Sequence, residues 1–322
     1  MALSEFEIIA RYFSRRGALR EDVVLGVGDD AALLQPPPGR QLAVAVDTLV
    51  AGRHFPEDTA AFDAGWKALA VNLSDLAAMG AAPAWATLSL TLPAVDEGWL
   101  QCFADGFYSL ADEHRVALVG GDTTRGPLSI SVQVLGHVEP DKALRRGGAA
   151  PGQAIFVSGT LGDAACALQA VQRGDSVDAV VLERLNRPRP RVELGRALAG
   201  VAAAAIDISD GLLADLGHIL EASGCGATLS PDCLPLSAAL RALPDDEVRA
   251  CQFNGGDDYE LCFTVDPARR SELDVLMQTQ GVNVTEIGVV EAQPGLRCRN
   301  ADGSLTTPAI AGFDHFRGGP HD

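Results

Sequence analysis

Two neighbouring carboxylates interrupt an apolar run early in the chain. The stretch VVLGVGDDAALL sets Asp29 and Asp30 directly after Gly28, between segments that read as core. Like charges side by side repel and lose hydration at a cost, so the pair calls for either a solvated turn or a cation. The same design recurs. Asp47 closes the apolar run QLAVAVD, Asp122 follows the glycines of VGGDTT, Asp207 and Asp210 flank the end of AIDISDG, and Asp257 and Asp258 follow those of NGGDDYE. Asp75 lies in an otherwise apolar helical pattern, with Asn72 three residues before it and therefore on the same face. Singly, each has a plain explanation. An Asp after Gly is a turn residue, Ser209 and Asp210 suit helix capping, and Asp75 can be solvated. Together they are harder to explain that way. Apolar strands carry their ends indoors, buried carboxylates need partners, and 25 Lys and Arg cannot pair with all 43 acids.

Oxygen-rich carboxylate groups suit Mg²⁺ or Mn²⁺ rather than zinc, and Mg²⁺ characteristically bridges carboxylates to substrate phosphates. The chemistry indicated is phosphate handling with acids holding metal and metal holding phosphate. No G-x-x-x-x-G-K-[ST] occurs, nor the protein-kinase set of glycine loop, H-R-D and D-F-G. No poised His–Asp or Cys–His pair stands out either. A net charge of −18 without a basic stripe excludes a nucleic-acid partner. Seven cysteines, none in a C-x-x-C pair, read as free thiols in a reducing compartment. With no signal-peptide pattern and no apolar run of membrane-spanning length, the expected location is the cytoplasm, away from the membrane.

The elements that must position these acids follow from periodicity. Ser4 to Arg16 reads as a helix capped by Ser4, with Phe6, Ile9, Tyr12 and Phe13 on one face. QLAVAVD is a strand ending at Asp47, and a helix within Asp63–Met79 stops at Gly80. A strand at AWATLSLTL precedes a helix capped by Asp96, with Trp99, Phe103, Phe107 and Leu110 along one stripe. VALVGGDTT reads as a short buried strand entering a glycine turn, and PLSISVQVLGHV alternates as a strand. RRGGAAPGQ breaks all pattern and divides the chain into residues 1–144 and 145–322. Beyond it come a strand at AIFVSG, a helix from Asp163, a strand into a helix capped by Ser209, a strand DDYELCFTV, a helix ARRSELDVLMQTQ and a strand VTEIGVV. Strands and helices alternate in both halves, giving an α/β or α+β class.

Taken in order, GVGDDAAL, VDTLVAGRHF, NLSDLAAMGAAP, GGDTTRG, RRGGAAPGQ, DISDGLLADL, NGGDDYEL and GFDHF resemble the thiamine-monophosphate kinase family, from about residue 4 to residue 316. That family lies in the superfamily of aminoimidazole-ribonucleotide synthetase, selenophosphate synthetase and hydrogenase maturation factor E. GDDAA or GGDTT alone marks only the superfamily; VAGRHF, GGDDYEL and GFDHF mark the kinase. The resemblance implies ATP-dependent phosphorylation of thiamine monophosphate to thiamine diphosphate. It also implies several Mg²⁺ ions, and a homodimer whose N-terminal sheet domains pair, each followed by a C-terminal α/β domain. By matched positions it implies metal ligands at Asp30, Asp47, Asp75, Asp122, Asp207 and Asp210. ATP contacts would fall at Gly121, Asp122, Arg146 and Ser209, and substrate contacts at His54, Glu260 and Phe313, with no protein side chain needed as a strong general base. Ala45 and Val46 depart from relatives that carry hydroxyl ligands there. Without the resemblance, His54 is a loop residue, Phe313 a seal on the core, Arg146 a solvated cation, and Asp29, Asp257 and Asp258 turn residues. Selenophosphate synthetase would want a reactive Cys near the N-terminus, and hydrogenase maturation factor E a C-terminal Cys; neither is present. An enzyme like aminoimidazole-ribonucleotide synthetase and a noncatalytic Mg²⁺–nucleotide binder remain as rivals.

Overall fold

The computed structural model describes residues 3–14 and 16–310. The chain divides into two compact units, Met1–Ala143 and Leu144–Asp322.

The first unit is a four-stranded sheet carrying two long helices. Its strands are β3 (Gln41–Val50), β4 (Ala82–Leu92), β5 (Ala117–Arg125) and β6 (Ser129–Val138), in the order β3-β6-β4-β5, with only β4 and β5 parallel. A small hairpin, β1 (Val23–Leu25) with β2 (Leu33–Leu34), brackets the GDD loop. In β6, residues Ile130, Val132 and Val134 are buried while Ser129, Ser131 and Gln133 are partly exposed, the alternation expected of a sheet with one covered face.

Helices α2 (Ala61–Ala78) and α3 (Glu97–Glu113) pack against each other unusually closely. A Cβ on Gly65 would lie 2.1 Å from the Phe103 carbonyl oxygen, and one on Gly106 would lie 1.9 Å from that of Phe62. Asp96 caps α3 by accepting the Trp99 N–H at 3.0 Å, and Phe103, Phe107 and Leu110 are buried as the stripe requires. Gly80, at φ 66°, stops α2.

Four expectations need correction here. The N-terminal helix is short: α1 (Glu5–Ile8), closed by a Ser4–Glu7 capping box, passes into a π-helical turn over Ile9–Phe13. Its apolar face is divided, for Tyr12 and Phe13 are buried but Phe6 is 78% exposed. Strand β3 runs three residues beyond Asp47, because Thr48, Leu49 and Val50 keep pairing with Ser131, Ile130 and Ser129. The glycines of VGGDTT do not turn the chain; β5 continues through them beside β4. Gly121 sits at φ 149°, and its missing side chain leaves room for the Leu88 carbonyl oxygen, which a Cβ would meet at 1.8 Å.

The second unit holds a seven-stranded mixed sheet. Its strands are β7 (Ala154–Ser158), β8 (Ala204–Asp207), β9 (Gly226–Leu229), β10 (Leu261–Val265), β11 (Val284–Glu291), β12 (Gly295–Arg299) and β13 (Leu305–Thr306), in the order β13-β12-β9-β11-β7-β10-β8. Its helices are α4 (Asp163–Arg173), α5 (Ala179–Asn186), α6 (Val192–Leu198), α7 (Leu212–Ser223), α8 (Asp245–Asn254) and α9 (Arg270–Met277). Ile155, Val157, Ile206, Leu213, Leu216 and Ile219 belong to one buried cluster that joins the sheet to α7. Two further corrections fall here. α7 starts after Gly211 with no side-chain cap from Ser209, and DDYE is irregular chain leading into β10. Among the described residues no helix is long and apolar enough to cross a membrane.

Candidate active site

In the first unit the GDD loop and the glycine-bearing part of β5 share one cavity of about 550 Å³. Val27 to Ala32, Thr87 and Leu88, and Leu118 to Thr123 line it, and Phe6, Ile9 and Phe13 also reach it. The Asp30 N–H donates to Asp29 Oδ1 at 2.9 Å, so Asp29 orders the turn. Asp30 and Asp122 are both exposed, and neither carboxylate meets a cationic side chain among the described residues. The structure thus brings Asp30, Gly121 and Asp122 to one place.

Asp47 and Asp75 lie elsewhere in the same unit, at the seam between β3 and α2. Asn72 Oδ1 accepts the Asp47 N–H at 2.9 Å, while Asn72 Nδ2 donates to the Ala68 carbonyl at 3.0 Å. The buried Asn72 therefore fixes the backbone of Asp47 to the helix that carries Asp75. His54 closes the turn after β3. Its Nδ1 accepts the Val50 N–H at 2.9 Å, and its own N–H donates to the Val50 carbonyl at 3.0 Å. With Nδ1 occupied as acceptor, a neutral His54 keeps its proton on Nε2, which becomes a donor.

In the second unit the ends of β7 and β8, the start of β10 and the first turns of α4 and α7 meet at one sheet edge. Asp207 ends β8, nearly buried, opposite Leu261. The loop after it is held by Asp215, whose Oδ2 accepts the N–H groups of Ser209 and Asp210, both at 3.0 Å. Burial, together with the charges of Asp207 and Asp210, pushes the Asp215 carboxyl up to about 7. A second loop grips the same segment, since Asp257 N–H donates to the Ser209 carbonyl and Tyr259 N–H to that of Ile208. Asp257 and Tyr259 both take positive φ, 68° and 50°, and the Tyr259 hydroxyl donates to Asp257 Oδ1 at 3.0 Å. Asp258 is buried and accepts the Gly162 N–H at the start of α4; desolvation raises its carboxyl well above the ordinary range.

Glu260 lies directly before β10. It is fully buried, and both of its oxygens are engaged by protein groups. Arg191 binds it through Nε at 2.6 Å, Arg184 donates from Nη2 at 2.7 Å, and the Ser158 hydroxyl also donates to it. Burial would raise this carboxyl, but Arg191, then Arg184 and Ser158, hold it below the ordinary value. In this arrangement Glu260 orients two arginines rather than offering a free oxygen to a ligand. Arg146 is exposed, and its carbonyl accepts from the Ser223 hydroxyl, which also receives the Gly148 and Ala149 N–H groups. Phe313 lies outside the described residues. Asp215, Arg184, Arg191 and Ser158 were missed in the sequence. The arginines had a visible signal, ERLNRPRPRVE, a dense basic run in an acidic chain.

Among the described residues no group of three or more His, Cys, Asp or Glu side chains could hold a metal ion. The oxygen donors gathered at the first-unit cavity are of the kind Mg²⁺ takes, and that ion is normally completed by phosphate oxygens and water.

The comparisons with known proteins match this layout. Family models for the AIR synthase related protein N-terminal and C-terminal domains cover residues 28–138 and 150–299. The thiamine-monophosphate kinase of Salmonella typhimurium is 49% identical over 98% of this chain and 99% of its own. The chain belongs to the thiamine-monophosphate kinase family. Among solved structures of that family, the Stenotrophomonas maltophilia kinase superposes with a TM-score of 0.84 at 50% identity, covering 94% of this chain and 98% of its own. A kinase-family structure described as AaThiL complexed with AMPPCP and TMP gives a TM-score of 0.78 at 31% identity, over 90% of this chain and 92% of its own.

Proposed function

We propose that the chain phosphorylates thiamine monophosphate to thiamine diphosphate at the expense of ATP. The observation that carries this reading is near-full-length identity of 49% with a thiamine-monophosphate kinase. The 31% identical relative complexed with AMPPCP and TMP supports ATP and thiamine monophosphate as the two substrates.

The residues act mainly by placement. In the first unit Gly121 and Asp122 are the ATP contacts; in the second unit Arg146 and Ser209 are assigned the same role. The Leu88–Gly121 approach keeps the backbone of β5 free of side-chain bulk beside the phosphates. Asp30, Asp47, Asp75 and Asp122 of the first unit, and Asp207 and Asp210 of the second, are the carboxylates that would hold Mg²⁺, which would supply positive charge to offset repulsion between anionic phosphates. The accepting phosphate of thiamine monophosphate is already ionised near neutral pH, so no side chain has to remove a proton from it. That fits a site rich in acids and without a poised His–Asp pair. His54, with its Nε2 donor, is the first unit's candidate for contact with thiamine monophosphate, and Phe313, outside the described residues, is a further candidate. Glu260 is the second unit's substrate-side candidate, where it fixes Arg184 and Arg191.

β3 exposes Leu42, Val44, Val46 and Val50 along one face at the sheet's edge, with Val46 61% exposed. That row supports a homodimer through the N-terminal sheets. All seven cysteines are free, which supports a cytoplasmic location.

The deciding experiment measures ADP release from ATP and Mg²⁺, with and without thiamine monophosphate, and assays thiamine diphosphate. Product that depends on all three is expected. ATP binding without product would leave the fold and refute the kinase reading.

A further inference from the structure

The N-terminal segment leaves an apolar group unspent. Its backbone is anchored to α3: Arg11 pairs with Glu97, Arg16 pairs with Asp105 at 2.6 Å, and the Tyr108 hydroxyl donates to the Phe13 carbonyl at 3.0 Å. Phe13 also packs edge-on against Phe103, ring centres 6.5 Å apart. On this fixed segment Phe6 remains 78% exposed and Ile9 half-buried. The π-helical turn that begins at Ile9 breaks the α-helical spacing that would have stacked Phe6 over the buried residues. A phenyl ring left in water on an anchored backbone forgoes the gain of burial.

That ring is not on a random surface. Phe6, Ile9 and Phe13 line the same 550 Å³ cavity as Asp30, Gly121 and Asp122. The volume lies within the range of small-molecule sites. The lining combines the aromatic and aliphatic side chains of the N-terminal segment with glycine backbone and the carboxylates of Asp29, Asp30 and Asp122. A ligand that carries both a flat aromatic ring and metal-bound phosphates suits such a mixed lining.

We propose that Phe6, backed by Ile9, is the stacking wall for the adenine ring of ATP, and so a specificity-determining residue for the nucleotide. The inference rests on the reading that places ATP at Gly121 and Asp122. The thiamine rings are the other aromatic candidates, but His54, assigned to that end, does not line this cavity.

The test compares wild type, Phe6→Ala and Phe6→Tyr, by equilibrium binding of ATP and of inorganic tripolyphosphate with Mg²⁺ present, and by initial rates. Phe6→Ala should weaken ATP binding about tenfold, the scale of one lost base–aromatic stack. It should leave tripolyphosphate binding and KM for thiamine monophosphate unchanged, and Phe6→Tyr should keep the affinity for ATP. Because Phe6 is exposed, neither change threatens folding. Unchanged ATP affinity in Phe6→Ala overturns the proposal. So does an equal loss for tripolyphosphate, or a rise confined to KM for thiamine monophosphate. Failure of the kinase reading would register separately, as wild-type protein that binds ATP but forms no thiamine diphosphate.

Discussion

The carboxylate of Asp215 accepts the backbone N–H of Asp210 at 3.0 Å, from the first turn of the helix that Asp210 precedes. The same oxygen takes the N–H of Ser209. One buried side chain therefore sets the direction in which two proposed ligand residues leave the strand. Asp215→Leu should lower kcat/KM for ATP by about tenfold or more, since a loosened loop misplaces groups that act by position. Asp215→Asn, which keeps an acceptor oxygen, should be milder. Steady-state kinetics with ATP varied at saturating Mg²⁺ checks both, and equal losses in the two variants would contradict a hydrogen-bonding role.

Asp30 is exposed on a loop, so its replacement can be separated from folding. Asp30→Asn should reduce turnover by about 100-fold or more, the scale of losing one charge-stabilising group, while leaving the melting temperature unchanged. Near-normal activity in this variant would remove Asp30 from the metal set.

Glu260→Gln removes the counter-charge from two arginines whose side chains are only about one-fifth exposed. Breaking such a pair costs about 3 kcal/mol. The folded-state pKa of Glu260 is lowered, so its contribution is complete above the unfolded-state value near 4.5 and fades as pH falls through the folded one. Urea unfolding of wild type and Glu260→Gln should therefore differ most at pH 7, and converge on acidification below about pH 4.5. A gap that stays constant into acid would rule out the ion pairs as its source.

Val46→Lys places a charge in the exposed β3 row. If the sheets pair through that row, sedimentation should show a monomer where the wild type is a dimer, at the same protein concentration. A wild-type monomer, or a variant that still dimerises, would place the interface elsewhere.

Much of this was legible in the sequence, for identifiable reasons. Strand β6 and helix α3 carry strong periodicity, and burial followed it except at Trp99, which is half-buried. The acidic loops were legible because Gly and Asp are rare company for apolar strand ends. What escaped depended on tertiary partners. Gly120 and Gly121 read as a turn, yet they lie in strand β5 beside β4, and at Gly121 the Leu88 carbonyl comes close enough to exclude a side chain. The ion pairs of Glu260 escaped because nothing local announces that Arg184 and Arg191, about seventy residues before it, close over it. Asp215 drew no notice, since a carboxylate reaching back to the loop before its helix leaves no spacing rule to recognise.

Strand β3 has a further consequence, for the chain before it is fully assembled. It is a ten-residue edge strand, QLAVAVDTLV, with no proline, lysine or arginine, and Asp47 is its one charge. Edge strands of this composition are templates for self-association, and an inward-turned charge is one of the few devices that discourages it. Asp47 shares its face with Leu49, toward α2, and so supplies that discouragement during synthesis and refolding. Replacing it with an apolar residue would turn the run into an uninterrupted β-prone segment, and aggregates should form in the expressing cell before any defect in catalysis can be measured.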